Sequence, residues 1–268
     1  MSLEGKSLFI MTPMYGGQLM MNYMASYQEL KDALIKYRVP FGFVYTYNES
    51  LITRARNRLV DAYLKTTPFS HSVFIDADIG FHADEVIGML DADLDIAGAP
   101  CVKKSLNWNR IVDTVKKSME PLDGSRPPID ISPQALMKVG GDFVINFEGF
   151  DGTKAMCLGE PMEVYSIGTG LMMVRRNVFE KFRKAYPDRW YEPRGSDPNV
   201  IPGPIHDFFR VGINDDLHDY ESEDYCFVQD CKKIGFKVWL CPWVRTTHSG
   251  TYLFTGDLTA LAQSGVGL

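Results

Sequence analysis

The sequence predicts an α/β protein, a single domain over 1–268 with a doubly wound, mostly parallel mixed sheet flanked by helices. Three observations lead there. Short apolar runs alternate with amphipathic stretches over roughly the first hundred residues, and that alternation builds βαβ units. Polar clusters follow three of the runs, at 12–15, 47–49 and 76–78, where such a sheet places its ligands, beyond the carboxyl ends of its strands. Composition agrees: 45% of the 268 residues are hydrophobic and 23% charged, enough apolar surface for a core of domain size.

In chain order, SLFIMT at 7–12 reads as a buried strand ended by Pro13, followed by a flexible turn at 14–17. Met20, Tyr23, Tyr27, Leu30 and Leu34 recur every three or four residues, so 18–38 reads as a helix, stopped by Pro40. The aromatic run 41–47 is a second strand. Asn48 or Ser50 is positioned to cap a helix over 51–65, with Ile52, Ala55, Leu59 and Ala62 as its apolar face and Arg54, Arg56, Asn57 and Arg58 elsewhere. Residues 72–75 form a third strand running into Asp76-Ala77-Asp78; a short helix at 84–90 and a fourth strand at 94–102 follow. These make 1–104 a nucleotide-binding half.

The acceptor half, 105–268, reads as a polar, proline-bearing loop with some helix at 105–138, strands at 143–147, 163–167 and 171–174, and a helix at 177–185. An irregular stretch at 188–219, rich in Pro, Gly and Asp, comes next. A helix at 221–234, ended by Gly235, and a strand at 236–240 precede His248.

Charge and cysteine usage narrow the function. Lys and Arg total 28 against 34 acids, a net charge of −6. A protein coating nucleic acid carries the opposite balance, which makes a nucleic-acid acceptor the less natural one. No apolar run is long enough to span a membrane. No secretory signal is recognisable. The five cysteines include no CxxC pair, which argues against a thiolate zinc site and fits a reducing, cytoplasmic setting.

The chemistry concentrates in a few places. Asp76 and Asp78 lie one residue apart at the end of an apolar strand, so both can turn toward one hard cation, Mn²⁺ or Mg²⁺, with diphosphate oxygens as further ligands. Asp91-Ala92-Asp93 repeats the tripeptide between a helix and a strand, where a solvated turn is expected; it shows how easily an acidic chain produces the pattern. His248, in RTTHSG, is either a surface bystander or an imidazole ligand. Glu223 and Asp224 are either first-turn acids favoured by the helix dipole or a general base and its acceptor-binding neighbour. Arg54, Arg56 and Asn57, and likewise Lys103 and Lys104, are either solvated or diphosphate-binding. Gly168 and Gly170 mark either a bulge or a close backbone approach to a sugar. Trp108, Trp190 and Trp243 can stack on sugar rings or pack in the core.

Together, FIMTPMYGG, LITRARNRLVDAYL, HSVFIDADIGF, YSIGTGLMMVRRNVFEKF and YESEDYCFVQDCKKIGFKVWL, with His248 trailing, resemble in order the segments of a GT-A type glycosyltransferase, of the family-2-like and Anp1-like kind. The resemblance covers roughly Leu8 to Gly250. It implies a metal-dependent hexosyl- or pentosyltransferase that moves a sugar from a nucleotide sugar, UDP favoured and GDP possible, to an acceptor carbohydrate or other hydroxyl-bearing molecule. Thr12, Pro13 and Tyr15 would line the base pocket, and Arg54 and Asn57 would help hold the nucleotide. Asp76 and Asp78 would engage ribose and metal, with Asp78 and His248 as direct ligands. Asp224 would be the catalytic base, Glu223 would hold the acceptor, and Glu221 would compete for the base role. A base at Asp224 implies inversion, whereas Anp1-like members retain configuration. Two other readings compete: a haloacid-dehalogenase-like phosphatase, whose DxD normally stands on the first strand, and a non-catalytic nucleotide- or sugar-binding module.

Overall fold

The computed structural model describes residues 2–121, 127–147, 157–193, 201–214, 218–250 and 252–265. The first apolar run is strand β1 (Leu8–Met14), and Pro13 does not end it. Beyond Met11 only β2 (Phe41–Tyr47) runs alongside, in parallel, so the missing Pro13 N–H costs no bond to a second neighbour. Between them, a 3₁₀ turn at Tyr15–Gly17 leads to helix α1 (Met21–Lys36). Gly16 and Gly17 both take left-handed φ there, near +67° and +68°, which a side chain would resist.

Helix α2 (Ile52–Thr66) follows β2. Neither Asn48 nor Ser50 caps it: the N-cap position is Leu51, without a side-chain cap, and Glu49 accepts the Leu51 N–H at 3.1 Å just ahead of the helix. Its buried stripe also differs from the sequence expectation: Arg56 and Asn57 are 3% and 2% exposed, while Ile52 is out in solvent.

Strand β3 (His71–Ile75) is buried throughout and is followed by an unanticipated short strand, β4 (Ile79–Phe81), then α3 (Ala83–Ala92). The strand expected at 94–102 is two, β5 (Ile96–Gly98) and β6 (Val102–Leu106), broken around Pro100. The stretch at 105–138 contains α4 (Trp108–Ser118) and α5 (Pro133–Val139), capped by Asn107 and Ser132. The strands expected at 143–147 and 163–167 are also divided, into β7 (Gly141–Phe143) and β8 (Ile145–Asn146), and β9 (Met162–Glu163) and β10 (Ser166–Ile167).

Strand β11 (Leu171–Arg175) and helix α6 (Arg176–Ala185) match expectation. The irregular stretch carries β12 (Trp190–Tyr191), β13 (Ile205–His206) and β14 (Gly212–Ile213). Strand β15 (Tyr220–Glu221) takes Glu221 out of the next helix, so α7 starts at Glu223 and runs to Lys233. Strands β16 (Val238–Leu240), β17 (Thr246–His248) and β18 (Phe254–Gly256) and helix α8 (Leu258–Ser264) complete the described chain. Among the described residues no helix is long and apolar enough to cross a membrane.

The main sheet has the order β2-β1-β3-β11-β5-β16-β9. β1, β2 and β3 are mutually parallel, β11 runs antiparallel between β3 and β5, β16 is parallel to β5, and β9 is antiparallel at the edge. Alternate residues of β1 feed two cores: Phe9 and Met11 pack with Phe74, Phe179 and Phe227 on one face, Leu8 and Ile10 with Leu30, Leu34 and Val86 on the other. With both faces covered, the carboxyl ends of β1, β2 and β3 are where the parallel half opens. A small sheet, β18-β17-β4, stands beside them and aligns His248 with Ile79.

Candidate active site

The Asp76–Asp78 loop is clamped by its backbone. Asp76 N–H donates to the Gly170 carbonyl, Met20 N–H to the Ala77 carbonyl and Ser249 N–H to the Asp78 carbonyl, all at 2.8–2.9 Å. The Asn22 amide donates to the same Asp78 carbonyl at 3.0 Å and to Thr247 Oγ1 at 3.1 Å. Three segments distant in sequence, around Met20–Asn22, Gly170 and Thr247–Ser249, therefore fix where the two carboxylates stand.

On one side of the loop, His248 Nε2 lies 3.3 Å from Asp78 Oδ2. Its other nitrogen, Nδ1, is 2.8 Å from the Val102 carbonyl. A carbonyl can only accept, so Nδ1 carries a proton and Nε2 faces the carboxylate. That backbone tether is the usual way a metal-binding imidazole is oriented. Lys104 Nζ reaches the same Asp78 oxygen at 2.5 Å. Burial opposes ionisation of Asp78, but His248 and Lys104 outweigh it and hold the carboxyl below its ordinary range. The expected neighbour Lys103 is exposed and lines a separate depression with Arg110, Asp142 and Phe147; adjacent strand residues point to opposite sides.

On the other side, Asp76 faces Arg56, whose Nη2 is 3.1 Å away and whose Nε is 3.2 Å from Glu223. The guanidinium is almost fully buried and stands 5.4 Å from the Phe74 ring. Burial pushes Asp76 and Glu223 up; Arg56 pulls both down without cancelling the shift. Asp224 completes the group. Ser222 Oγ and Tyr225 N–H donate to its Oδ1, and its Oδ2 would lie 3.3 Å from a Cβ placed on Gly168. Gly170 is equally confined, since a Cβ there would meet Cys101 Sγ at 3.0 Å. Gly168 thus allows close approach of backbone to Asp224, and Gly170 close packing on Cys101. Glu221 is turned away and accepts from the Asn214 amide at 2.7 Å.

A cavity of about 520 Å³ opens beside the loop, lined by Pro13, Met14, Tyr15, Gln18, Leu19, Met20, Thr46, Glu49, Ser50, Ile52, Ala55 and 76–78. It lies at the carboxyl ends of β1, β2 and β3 and at the start of α2, where helix N–H groups favour an anion. Tyr15 is 76% exposed over it. The buried Glu49 in its wall is neutralised by Arg54 and Arg58, at 2.6 and 3.0 Å, which hold it below the normal carboxylate range against the effect of burial.

Two expected nucleotide residues lie elsewhere. Thr12 is buried and shares a hydrogen bond with Tyr23 Oη at 2.7 Å. The Asn57 amide is fully used inside the protein: its Oδ1 accepts the Phe208 and Phe209 N–H groups, and its Nδ2 donates to Asp207. Arg56, read from the sequence as solvated or diphosphate-binding, is instead a buried bridge between Asp76 and Glu223; it falls at helical spacing with the core residues Leu59, Val60 and Tyr63. Trp243 packs against one core and donates to the Glu85 carbonyl, while Trp108 and Trp190 are exposed.

Asp76, Asp78, His248, Glu223 and Asp224 therefore gather around one loop, with Gly168 and Gly170 beneath. Among the described residues no three His, Cys, Asp or Glu side chains converge on a single point for a cation. Asp78 and His248 form a two-donor edge of nitrogen and oxygen, a donor pair that fits Mn²⁺ better than Mg²⁺, which favours oxygen ligands alone, with diphosphate oxygens to fill further positions.

Neither a scan against protein families nor a search of curated proteins finds a match. Among solved structures the chain is similar to A197 from STIV, at 11% identity over 94% of both chains with a TM-score of 0.48. It is also similar to a glycosyltransferase involved in the glycosylation of the major capsid of PBCV-1, at 8% identity over 68% of this chain and 67% of that one, TM-score 0.30.

Proposed function

We propose that this chain is a metal-dependent glycosyltransferase using a nucleotide-sugar donor, UDP-linked or GDP-linked. The observation that carries the reading is the meeting of Asp78 with His248 at 3.3 Å, with Nδ1 tied back to Val102, at the mouth of a cavity over the parallel strand ends.

In this reading Pro13, Tyr15 and the start of α2 take the nucleotide, with the Tyr15 ring available to stack on the base. Asp76, positioned by Arg56, faces the ribose. Asp78 and His248 hold the cation, which when bound neutralises charge on the leaving diphosphate. Asp224 accepts the proton of the acceptor hydroxyl as its oxygen bonds to the anomeric carbon and the bond to the diphosphate breaks, an in-line displacement that inverts configuration. Glu223, held by Arg56, lies next to the acceptor. Nothing at Asp76 favours the phosphatase alternative, since a carboxylate occupied by a buried guanidinium is a poor nucleophile.

The test is thermal shift with UDP, GDP and CDP and their sugars, with and without Mn²⁺. Stabilisation by UDP or GDP that needs the cation, and that Asp78→Ala and His248→Ala abolish, is the expected result. Full cation-dependent stabilisation in Asp78→Ala would overturn the site assignment.

A further inference from the structure

A second surface next to this cavity is not used by the proposed reaction. β2 is an edge strand of the main sheet, and its alternate residues Phe43, Tyr45 and Tyr47 project on one face. They remain 54%, 49% and 43% exposed. Their rings follow one another at 6.0 and 6.4 Å between centroids, and Tyr27 of α1 continues the row, edge-on to Phe43 at 5.7 Å. They line a groove of about 490 Å³ together with Met14, Gly17, Leu19, Tyr23 and Met24, with the Thr12–Tyr23 hydrogen bond within the lining. Met14 and Leu19 also line the candidate nucleotide cavity, so the two depressions adjoin across these side chains.

The lining contains no charged side chain. A single-stranded nucleic acid needs cations to track its backbone, and an anionic membrane needs lysine or arginine; neither is provided. A second copy of the same concave groove is a poor partner, because a twofold contact would place hollow against hollow. What fits a neutral trough walled by successive aromatic faces and tyrosyl hydroxyls is a chain of uncharged rings with apolar faces and polar edges. We infer that this groove binds a neutral oligosaccharide, held by stacking on Phe43 and Tyr45 and led toward the neighbouring cavity. The choice of a sugar over other neutral ligands rests on the transferase reading of that cavity.

The experiment is calorimetric titration of the whole chain with maltohexaose, cellohexaose and chitohexaose, with Phe43→Ala and Tyr45→Ala in parallel. Both positions are exposed on an edge strand, and an unchanged unfolding midpoint verifies folding. At least one oligosaccharide should bind the wild type, and each variant should weaken it about tenfold while leaving the Mn²⁺-dependent shift with UDP or GDP intact. Binding of no oligosaccharide, binding unaffected by either variant, or capture by this groove of oligo-dT or a proline-rich peptide instead would overturn the inference. A nucleotide-dependent shift without oligosaccharide binding sinks the groove alone; oligosaccharide binding without any nucleotide effect sinks the transferase reading alone.

Discussion

Replacing Arg56 with Met probes the bridge at the centre of the site. The guanidinium faces Asp76 at 3.1 Å and Glu223 at 3.2 Å. At an effective dielectric near 20, each contact carries about 5 kcal/mol of attraction, most of which offsets the desolvation of the three charges. Removing the cation and leaving both acids in place typically costs about 3–5 kcal/mol. Asp76 keeps a side-chain exposure of 30%, so water recovers part of the loss and the cost falls at the lower end, about 3 kcal/mol. For a chain of this length that is a drop of about 6–12 °C in Tm. The pH dependence sharpens the test. Burial already raises both acids in the folded state, and Arg56 opposes it; without Arg56 they rise further. A carboxyl with a raised folded pKa contributes stability below its unfolded pKa, about 4, and loses it as pH rises through the folded value. The deficit of the variant should therefore be largest at neutral pH and shrink on acidification toward pH 5. Urea unfolding at both pH values measures this. A deficit under about 1 kcal/mol, or one equal at the two pH values, would refute the bridging role.

Other outcomes are expected on the same physical grounds. Asn57→Ala leaves the N–H groups of Phe208 and Phe209 buried without their acceptor and should cost about 2–4 kcal/mol in urea unfolding; a loss below about 0.5 kcal/mol would contradict that clasp. Burial lowers His71 and His206 to about 4, so the stability tied to each neutral imidazole is complete above about pH 6.5 and fades as pH falls toward 4. His206→Leu, set among Phe182 and Phe208, should flatten the acid limb of the stability profile, and an unchanged limb would exclude His206 as a contributor. Gly80→Ala places a Cβ 2.5 Å from Thr247 Oγ1 and 3.1 Å from Asn22. It should destabilise the fold by about 1–3 kcal/mol and weaken the Mn²⁺-dependent nucleotide shift, because Asn22 holds the Asp78 carbonyl; a variant matching wild type in both assays would dissociate that clasp from the site.

Element type was legible wherever a run had one period and one environment. β1, β2, β3, α1 and α2 begin or end within a few residues of where their apolar spacing places them. The divided strands were not: the reading of 94–102 passed over Pro100, which has no N–H to give a ladder, and the bends near Val144 and Val164 leave their apolar runs unbroken. Side-chain partners were less legible still. Arg54, Arg56 and Arg58 look alike in a list of residues, yet only Arg56 follows the buried stripe. Lys103 and Lys104 differ solely in which face of β6 each occupies, and the lysine on Asp78 is Lys104. Asn57, chosen as a nucleotide ligand, is taken up by the Asp207 carboxylate and the Phe208 and Phe209 N–H groups.

The sequence by itself determined the alternation of strands and helices, the parallel arrangement of the first three strands, and the appearance of acids where the second and third of them end. These follow from local period and from turn chemistry, which act over a few residues. Only the tertiary structure decided that His248 comes back to Asp78, that Arg56 joins Asp76 to Glu223, and that Thr12 belongs to an aromatic groove. Those outcomes depend on packing β17 beside β4 and α7 beside β10, contacts between segments far apart in the chain, and a side chain acquires its partner only when the sheet order sets which of its faces is covered.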